Sequence, residues 1–134
     1  MNTRILMMAS SVAMGLVGLA ASFAPAELLG ALHVTPTDPL PVFIQLLGAL
    51  YVAFAMANWT AKDSLIGGIY ARPLSLGNLV HFMVGALALG KHEAATGFHG
   101  PLVVVLAVYA IFAVGFGWLV FGRGAACAVN TPSS

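Results

Sequence analysis

Stretches without a charged residue divide the chain into four apolar segments. A helix rises 1.5 Å per residue, so about 20 apolar residues cross the roughly 30 Å of hydrocarbon in a bilayer. Three segments have 20 residues, and the third along the chain has 17, close to the lower limit of about 17. The pattern predicts four membrane-spanning helices: Ile5–Ala24, Leu40–Trp59, Leu74–Gly90 and Leu102–Phe121.

The first segment has a second interpretation, a cleaved signal peptide. Arg4 gives it a basic start, and Ser22-Phe23-Ala24 resembles a small-residue cleavage site. Pro25 would then follow the cut, where proline fits poorly, and 20 residues exceed the usual apolar region of a signal peptide. A retained span is therefore the favoured interpretation.

The segments outside the spans are short. Pro25–Leu32 predicts a short interfacial helix, because proline suits the first helical position and Glu27 suits the first turn. All four acidic residues are predicted to lie outside the spans, in loops. The tail from Gly124 to Ser134 is small and polar, which predicts disorder.

Small and polar residues recur on one face of each span. In lipid, such residues mark helix contacts because they let two backbones approach. The pattern predicts an all-α integral membrane four-helix bundle in one transmembrane domain, with Leu, Val and Phe facing lipid. The four stripes are Ser11, Gly15, Gly18 and Ser22; Gln45, Ala49, Ala53 and Ala57; Asn78, His81, Gly85 and Ala88; and Tyr109, Ala113 and Gly117.

Composition supports the membrane assignment. Apolar residues make up 60% of the chain and charged residues 7%, against about 25% charged in a soluble domain. The net charge of +1 disfavours nucleic-acid binding, which needs a clustered basic face. One cysteine excludes an internal disulfide and a cysteine-rich zinc site.

Basic residues predict the orientation. Arg4, Lys62, Arg72 and Arg123 fall on one side of the predicted spans, and only Lys91 falls on the other. Because lysine and arginine favour the cytoplasmic side, both termini are predicted to be cytoplasmic.

Three polar residues inside the spans form the candidate ligand-binding site: His81, Asn78 and Gln45. His81 lies about 10 Å along its predicted span, and an ionisable group at that depth suggests a function. Asn78 shares its helix face, and Gln45 belongs to the neighbouring span. Two interpretations stay open: a structural hydrogen bond between helices, or a polar pocket for a quinone-like ligand or a proton.

No sequence motif indicates catalysis, phosphate binding or metal binding. The acidic residues form no intramembrane pair for acid–base catalysis, and Gly67-Gly68 lacks the residues that complete a phosphate loop. A histidine metal site would need the two loops that carry the other histidines to converge, and a haem would need a second intramembrane histidine. We therefore expect no catalytic residue, no metal ligand and no bound cofactor. The three loop histidines are His33, His92 and His99.

Two stretches carry a family resemblance. Residues 46–51 (LLGALY) and 68–74 (GIYARPL), with Gly77-Asn78-Leu79 behind them, resemble small bacterial four-span proteins of the DoxX-like group. The resemblance covers spans two and three, about half of the chain. It implies a bacterial inner-membrane location and, through members linked with redox modules, a redox role. No catalytic residue carries over.

These observations predict a non-catalytic accessory or assembly subunit of an inner-membrane complex. Its expected partners are the lipid bilayer and other membrane protein subunits or further copies of itself, and no nucleic acid. The alternative is a redox or transport component that binds a quinone-like or other small ligand around His81.

Overall fold

The structure is a computed structural model that describes residues 3–63, 71–97 and 100–122. All regular secondary structure in these residues is helical, which confirms the predicted all-α class. The helices are α1 (Thr3–Phe23), α2 (Pro25–Ala31), α3 (Leu40–Ala61), α4 (Ala71–Thr96) and α5 (Pro101–Phe121).

Four of these helices are long and apolar enough to cross a membrane, as predicted. The short helix after the first span is also present, as α2. The helix that contains the predicted third span is longer than the apolar segment, because α4 has 26 residues and extends beyond Leu74–Gly90 at both ends. Its last turns contain Lys91, Glu93 and two alanines, which favour helix although they end the apolar segment. The predicted disordered tail lies outside the described residues.

The chain divides into two compact units, Met1–Ile66 and Gly67–Ser134. In the first unit, α1 and α3 run antiparallel: Ser10 near the start of α1 contacts Asn58 near the end of α3. At the opposite end, Gln45 of α3 contacts Ser22 of α1. Packing of all four spans into one bundle stays a prediction.

Glycines bring α1 and α3 close together. A Cβ added to Gly18 would lie 2.9 Å from the carbonyl oxygen of Gly48, and one added to Gly48 would lie 2.7 Å from the Ser22 nitrogen. The predicted α1 stripe therefore packs against α3. Two members of the predicted α3 stripe, Ala49 and Ala53, do not face α1 but are exposed in this unit, and the residues of α3 that are buried are Gly48, Tyr51, Ala55 and Asn58.

The second unit is an antiparallel hairpin of α4 and α5 with an aromatic centre. Phe82 of α4 stacks on Phe112 and Phe116 of α5, with ring centroids 4.8 and 5.8 Å apart. All three side chains are buried, so the expectation that phenylalanines face lipid is wrong here. Aromatic pairs gain stability from ring geometry in addition to their buried area, which favours this contact between the helices.

Candidate functional site

His81 lies on α4 and faces α5. Its ring is half-buried, and its Nε2 lies 3.5 Å from the hydroxyl oxygen of Tyr109. The two rings are tilted, with centroids 5.6 Å apart. Either group can donate, because the tautomer of the histidine decides which nitrogen carries hydrogen.

Tyr109 is held in place by its neighbours. A Cβ on Gly85 would collide with the Tyr109 ring, so the ring occupies space that only glycine leaves open. Phe82 adds an edge-to-face contact, with its centroid 5.3 Å from that of Tyr109. Tyr109 belongs to the predicted α5 stripe of small and polar residues, but its pairing with His81 was not predicted from the sequence. One feature of the sequence could have identified Tyr109 as a site residue, because it carries the only side-chain hydroxyl in the α5 sequence.

Asn78 is fully buried one turn before His81. Its Nδ2 donates a hydrogen bond of 2.9 Å to the Leu74 carbonyl oxygen of the same helix. This bond satisfies one amide hydrogen and sets the direction of the side chain. Asn78 and His81 thus lie on the same part of α4, as the sequence analysis expected.

Gln45, the third predicted site residue, belongs to the first unit. It is exposed there, and its Nε2 donates a long hydrogen bond of 3.4 Å to the Ser22 carbonyl oxygen. This bond joins the end of α1 to the start of α3, at the opposite end of the hairpin from Asn58. A pocket shared by Gln45, Asn78 and His81 stays a prediction.

A second polar cluster lies between α1 and α3. Asn58 is fully buried, and its Nδ2 lies 3.1 Å from Ser10 Oγ and 3.9 Å from Met14 Sδ. Ser10 Oγ in turn donates to the Met7 carbonyl oxygen at 3.0 Å. The pairing of Asn58 with Ser10 could not be predicted from the sequence, because it depends on the register of two separated helices.

Ser11 strengthens the same contact between helices. Its hydroxyl donates a 2.6 Å hydrogen bond to the Ala55 carbonyl oxygen of α3. This bond joins α1 directly to the backbone of α3, so the geometry of the cluster supports helix association.

Glu93 corrects a further expectation. It was predicted to lie in a loop, yet it is in α4 and 1% exposed. Within the described part of the chain, its Oε2 has no hydrogen-bond partner. The charged segment 91–93 ends the apolar run, and this end was mistaken for the end of the helix.

The described residues contain no group of three histidine, cysteine, aspartate or glutamate side chains placed to hold a metal ion. His33 and His92 are exposed, and His99 lies outside the described residues. What the His81–Tyr109 pair offers is one donor and one acceptor side by side, which suits hydrogen bonding to a carbonyl or hydroxyl group.

Comparison with known proteins identifies no relative. No family model matches the chain, and neither a curated protein nor a solved structure matches it. The DoxX-like resemblance therefore stays a prediction, and arguments about function depend on the geometry described above.

Proposed function

We propose that this chain is a multi-pass protein of a bacterial inner membrane, with both termini cytoplasmic, that acts as an accessory or assembly subunit of a membrane complex. Four long apolar helices support the membrane location. Their exposed side chains are largely apolar, as expected for surfaces that meet lipid or other helices; examples are Leu16, Leu46, Ile111 and Val114.

The observation that carries the non-catalytic role is the bonding of the polar residues in the first unit. Asn58, Ser10 and Ser11 bind across the α1–α3 contact or to the backbone of their own helix. Polar side chains of this kind hold membrane helices together, each contributing about 0.6 kcal/mol on average. Their geometry serves structure and leaves the outer apolar faces for partners.

Native mass spectrometry of the full chain, released from lipid nanodiscs, tests this proposal. We expect a complex with another membrane protein in a fixed ratio. A particle that contains only this chain, alone or as identical copies, would contradict the role of accessory subunit. The His81→Leu variant is measured in parallel. An accessory role does not require a ligand at His81, so it predicts that this variant still forms the complex.

A second function has its own observation, the contact between His81 and Tyr109. A quinone-like molecule offers carbonyl oxygens, and both of these side chains can donate a hydrogen bond to one. The depth of His81 in α4 agrees with a ligand that enters from the lipid. The resemblance to DoxX-like proteins adds a link with redox modules to this alternative.

Extraction of the purified protein with organic solvent, followed by chromatography, tests the second function. A quinone-binding role predicts a ligand in a fixed ratio that is lost in His81→Leu and reduced in Tyr109→Phe. Thermal unfolding must show that both variants are folded. If the wild-type protein yields no more quinone than an unrelated membrane protein prepared in the same way, this alternative is wrong.

A further inference from the structure

An apolar groove runs along the surface of the α1–α3 hairpin. It is lined by Gly15 and Ala55 and by the larger side chains of Leu19, Val52 and Met56. Ser11 and Thr60 also border the groove, but both hydroxyls are bound to backbone carbonyl oxygens. The groove therefore presents hydrocarbon along its length.

The dimensions of the groove indicate what fits in it. From Ser11 to Leu19 the helix rises about 12 Å. An extended hydrocarbon chain that lies along α1 can occupy the groove over this length, in contact with the apolar side chains that line it.

One end of the groove is polar and carries positive charge. Trp59 lines this end, and the Lys62 ammonium lies 4.0 Å from the centroid of its ring. Asp63 joins two cations there, with Arg4 Nε at 3.2 Å and Lys62 Nζ at 3.6 Å. Among the described residues at this end, two cations and one carboxylate leave a net positive charge, and the Arg4 side chain is 61% exposed.

We propose that this groove binds one acyl chain of an anionic phospholipid, with its phosphate beside Arg4 and Lys62. The proposal rests on the membrane location proposed above. Tryptophan is favoured at the level of lipid headgroups, and basic side chains there attract anionic lipids. The apolar groove and the charged end thus match the two parts of one lipid molecule.

Fluorescence quenching by brominated lipids tests the proposal, because Trp59 lines the groove and the chain has two tryptophans. The Trp118→Phe variant leaves Trp59 as the reporter, and Trp59→Phe leaves Trp118, which is 70% exposed. Each is placed in nanodiscs of phosphatidylcholine with a small fraction of phosphatidylglycerol, and either lipid carries the bromine. We expect brominated phosphatidylglycerol to quench Trp59 more than its fraction predicts, and Trp118 in proportion to its fraction.

Two variants and one control, all in the Trp118→Phe background, distinguish binding of the acyl chain from binding of the headgroup. Gly15→Leu fills the groove and should abolish the excess quenching, whereas Ala20→Leu, an equal enlargement at an exposed site of α1, should retain it. Arg4→Gln leaves the groove intact and should lower the preference for phosphatidylglycerol, by up to about fivefold. Arg4→Gln keeps the test decisive if Gly15→Leu fails to fold.

Three other outcomes of the quenching experiment would contradict the groove site or the membrane location. Equal quenching of both tryptophans by both lipids would overturn the groove site while leaving the membrane location intact. Quenching of Trp118 alone would show that protein covers the groove, such as a second copy, and would also overturn the proposal. If neither tryptophan is quenched, the membrane location itself is wrong.

Discussion

Asn58 shows how a single polar side chain is accommodated inside an apolar helix. Its amide is fully buried, and its Nδ2 lies 3.1 Å from Ser10 Oγ. An amide in an apolar environment without such a bond would cost a few kcal/mol. At the scale of one residue, the α1–α3 contact therefore depends on the pairing of Asn58 with Ser10.

We predict that Asn58 and Ser10 are energetically coupled. A double-mutant cycle of Asn58→Ala and Ser10→Ala should give a coupling free energy of about 0.6 kcal/mol, the average for hydrogen bonds between membrane helices, and at most about 1.7 kcal/mol. The measurement is the free energy of unfolding in mixed micelles with increasing dodecyl sulfate.

Thr60→Ala is the control for this cycle. Thr60 is exposed, and its hydroxyl binds carbonyl oxygens of its own helix, at 2.9 and 3.0 Å. Its loss should change stability by less than about 0.5 kcal/mol. A coupling free energy near zero between Asn58 and Ser10 would show that their contact does not stabilise the hairpin.

Glu93 is a second buried polar side chain, and we expect it to destabilise the fold, whereas Asn58 stabilises it. Its carboxyl is 1% exposed, and it lies near the C-terminal end of α4, where the helix dipole disfavours a negative charge. Glu93→Gln removes the charge and keeps the shape, so we predict an increase in unfolding free energy of at least about 1 kcal/mol. Dodecyl sulfate unfolding is again the measurement.

The exposed Glu27 supplies the comparison for Glu93. Glu27→Gln should leave stability within about 0.5 kcal/mol of the wild type. If Glu93→Gln instead lowers the unfolding free energy, the carboxylate has a stabilising partner and the argument from uncompensated burial is wrong.

At the scale of the helix, glycines decide how closely α1 and α3 approach. Gly15 and Gly18 lie on the same face of α1 but differ in their surroundings. A Cβ at Gly15 would lie 3.6 Å from the Ala55 Cβ, an ordinary contact. A Cβ at Gly18 would lie 2.9 Å from backbone atoms of α3.

We predict opposite effects of alanine at these two positions. Gly15→Ala should stabilise the protein by up to about 1 kcal/mol, because alanine favours helix more than glycine. Gly18→Ala should destabilise it by about 1–3 kcal/mol, because the backbone of α3 must move away. Unfolding free energies of the two variants test this difference.

Gly30 in α2 is the matched reference, since a Cβ there would meet nothing within 4 Å. Gly30→Ala should resemble Gly15→Ala in sign. A destabilised Gly15→Ala together with an unchanged Gly18→Ala would mean that α1 contacts α3 through another face.

At the scale of the whole molecule, the distribution of basic residues predicts the orientation in the membrane. Arg4 at the start of α1 forms an ion pair with Asp63 after α3, which places the start of α1 beside the end of α3. Lys62 adds a second positive charge at this end of the hairpin. The pair is exposed and contributes little stability, but it agrees with the charge asymmetry of the sequence.

We predict that a fluorescent protein fused to the C-terminus is fluorescent and that alkaline phosphatase at the same position is inactive. Both results follow from cytoplasmic termini, since the phosphatase needs an oxidising compartment for its disulfides. Fusions after Gly100, on the other predicted side, should give the reverse pattern. An active phosphatase at the C-terminus would overturn this orientation.

Much of the fold was predictable because the membrane restricts the possible structures. A backbone in hydrocarbon must satisfy its own hydrogen bonds, so a charge-free run of about 20 residues predicts a helix without knowledge of its neighbours. The candidate site was predictable only in part. His81 and Asn78 were found from their polarity and spacing, whereas Tyr109 required knowledge of which α5 residue lies opposite His81.

The sequence by itself thus determined the helical class, the four long apolar helices and the short α2, because these depend on local composition and length. Tertiary structure decided which faces meet: Gly48 and Asn58 rather than Ala49 and Ala53 face α1, and Phe82 packs against α5 rather than lipid. In an apolar helix, hydrophobicity is similar on every face and does not mark the buried one. The shapes of two helices in contact select it, and this complementarity exists only once both are folded and aligned.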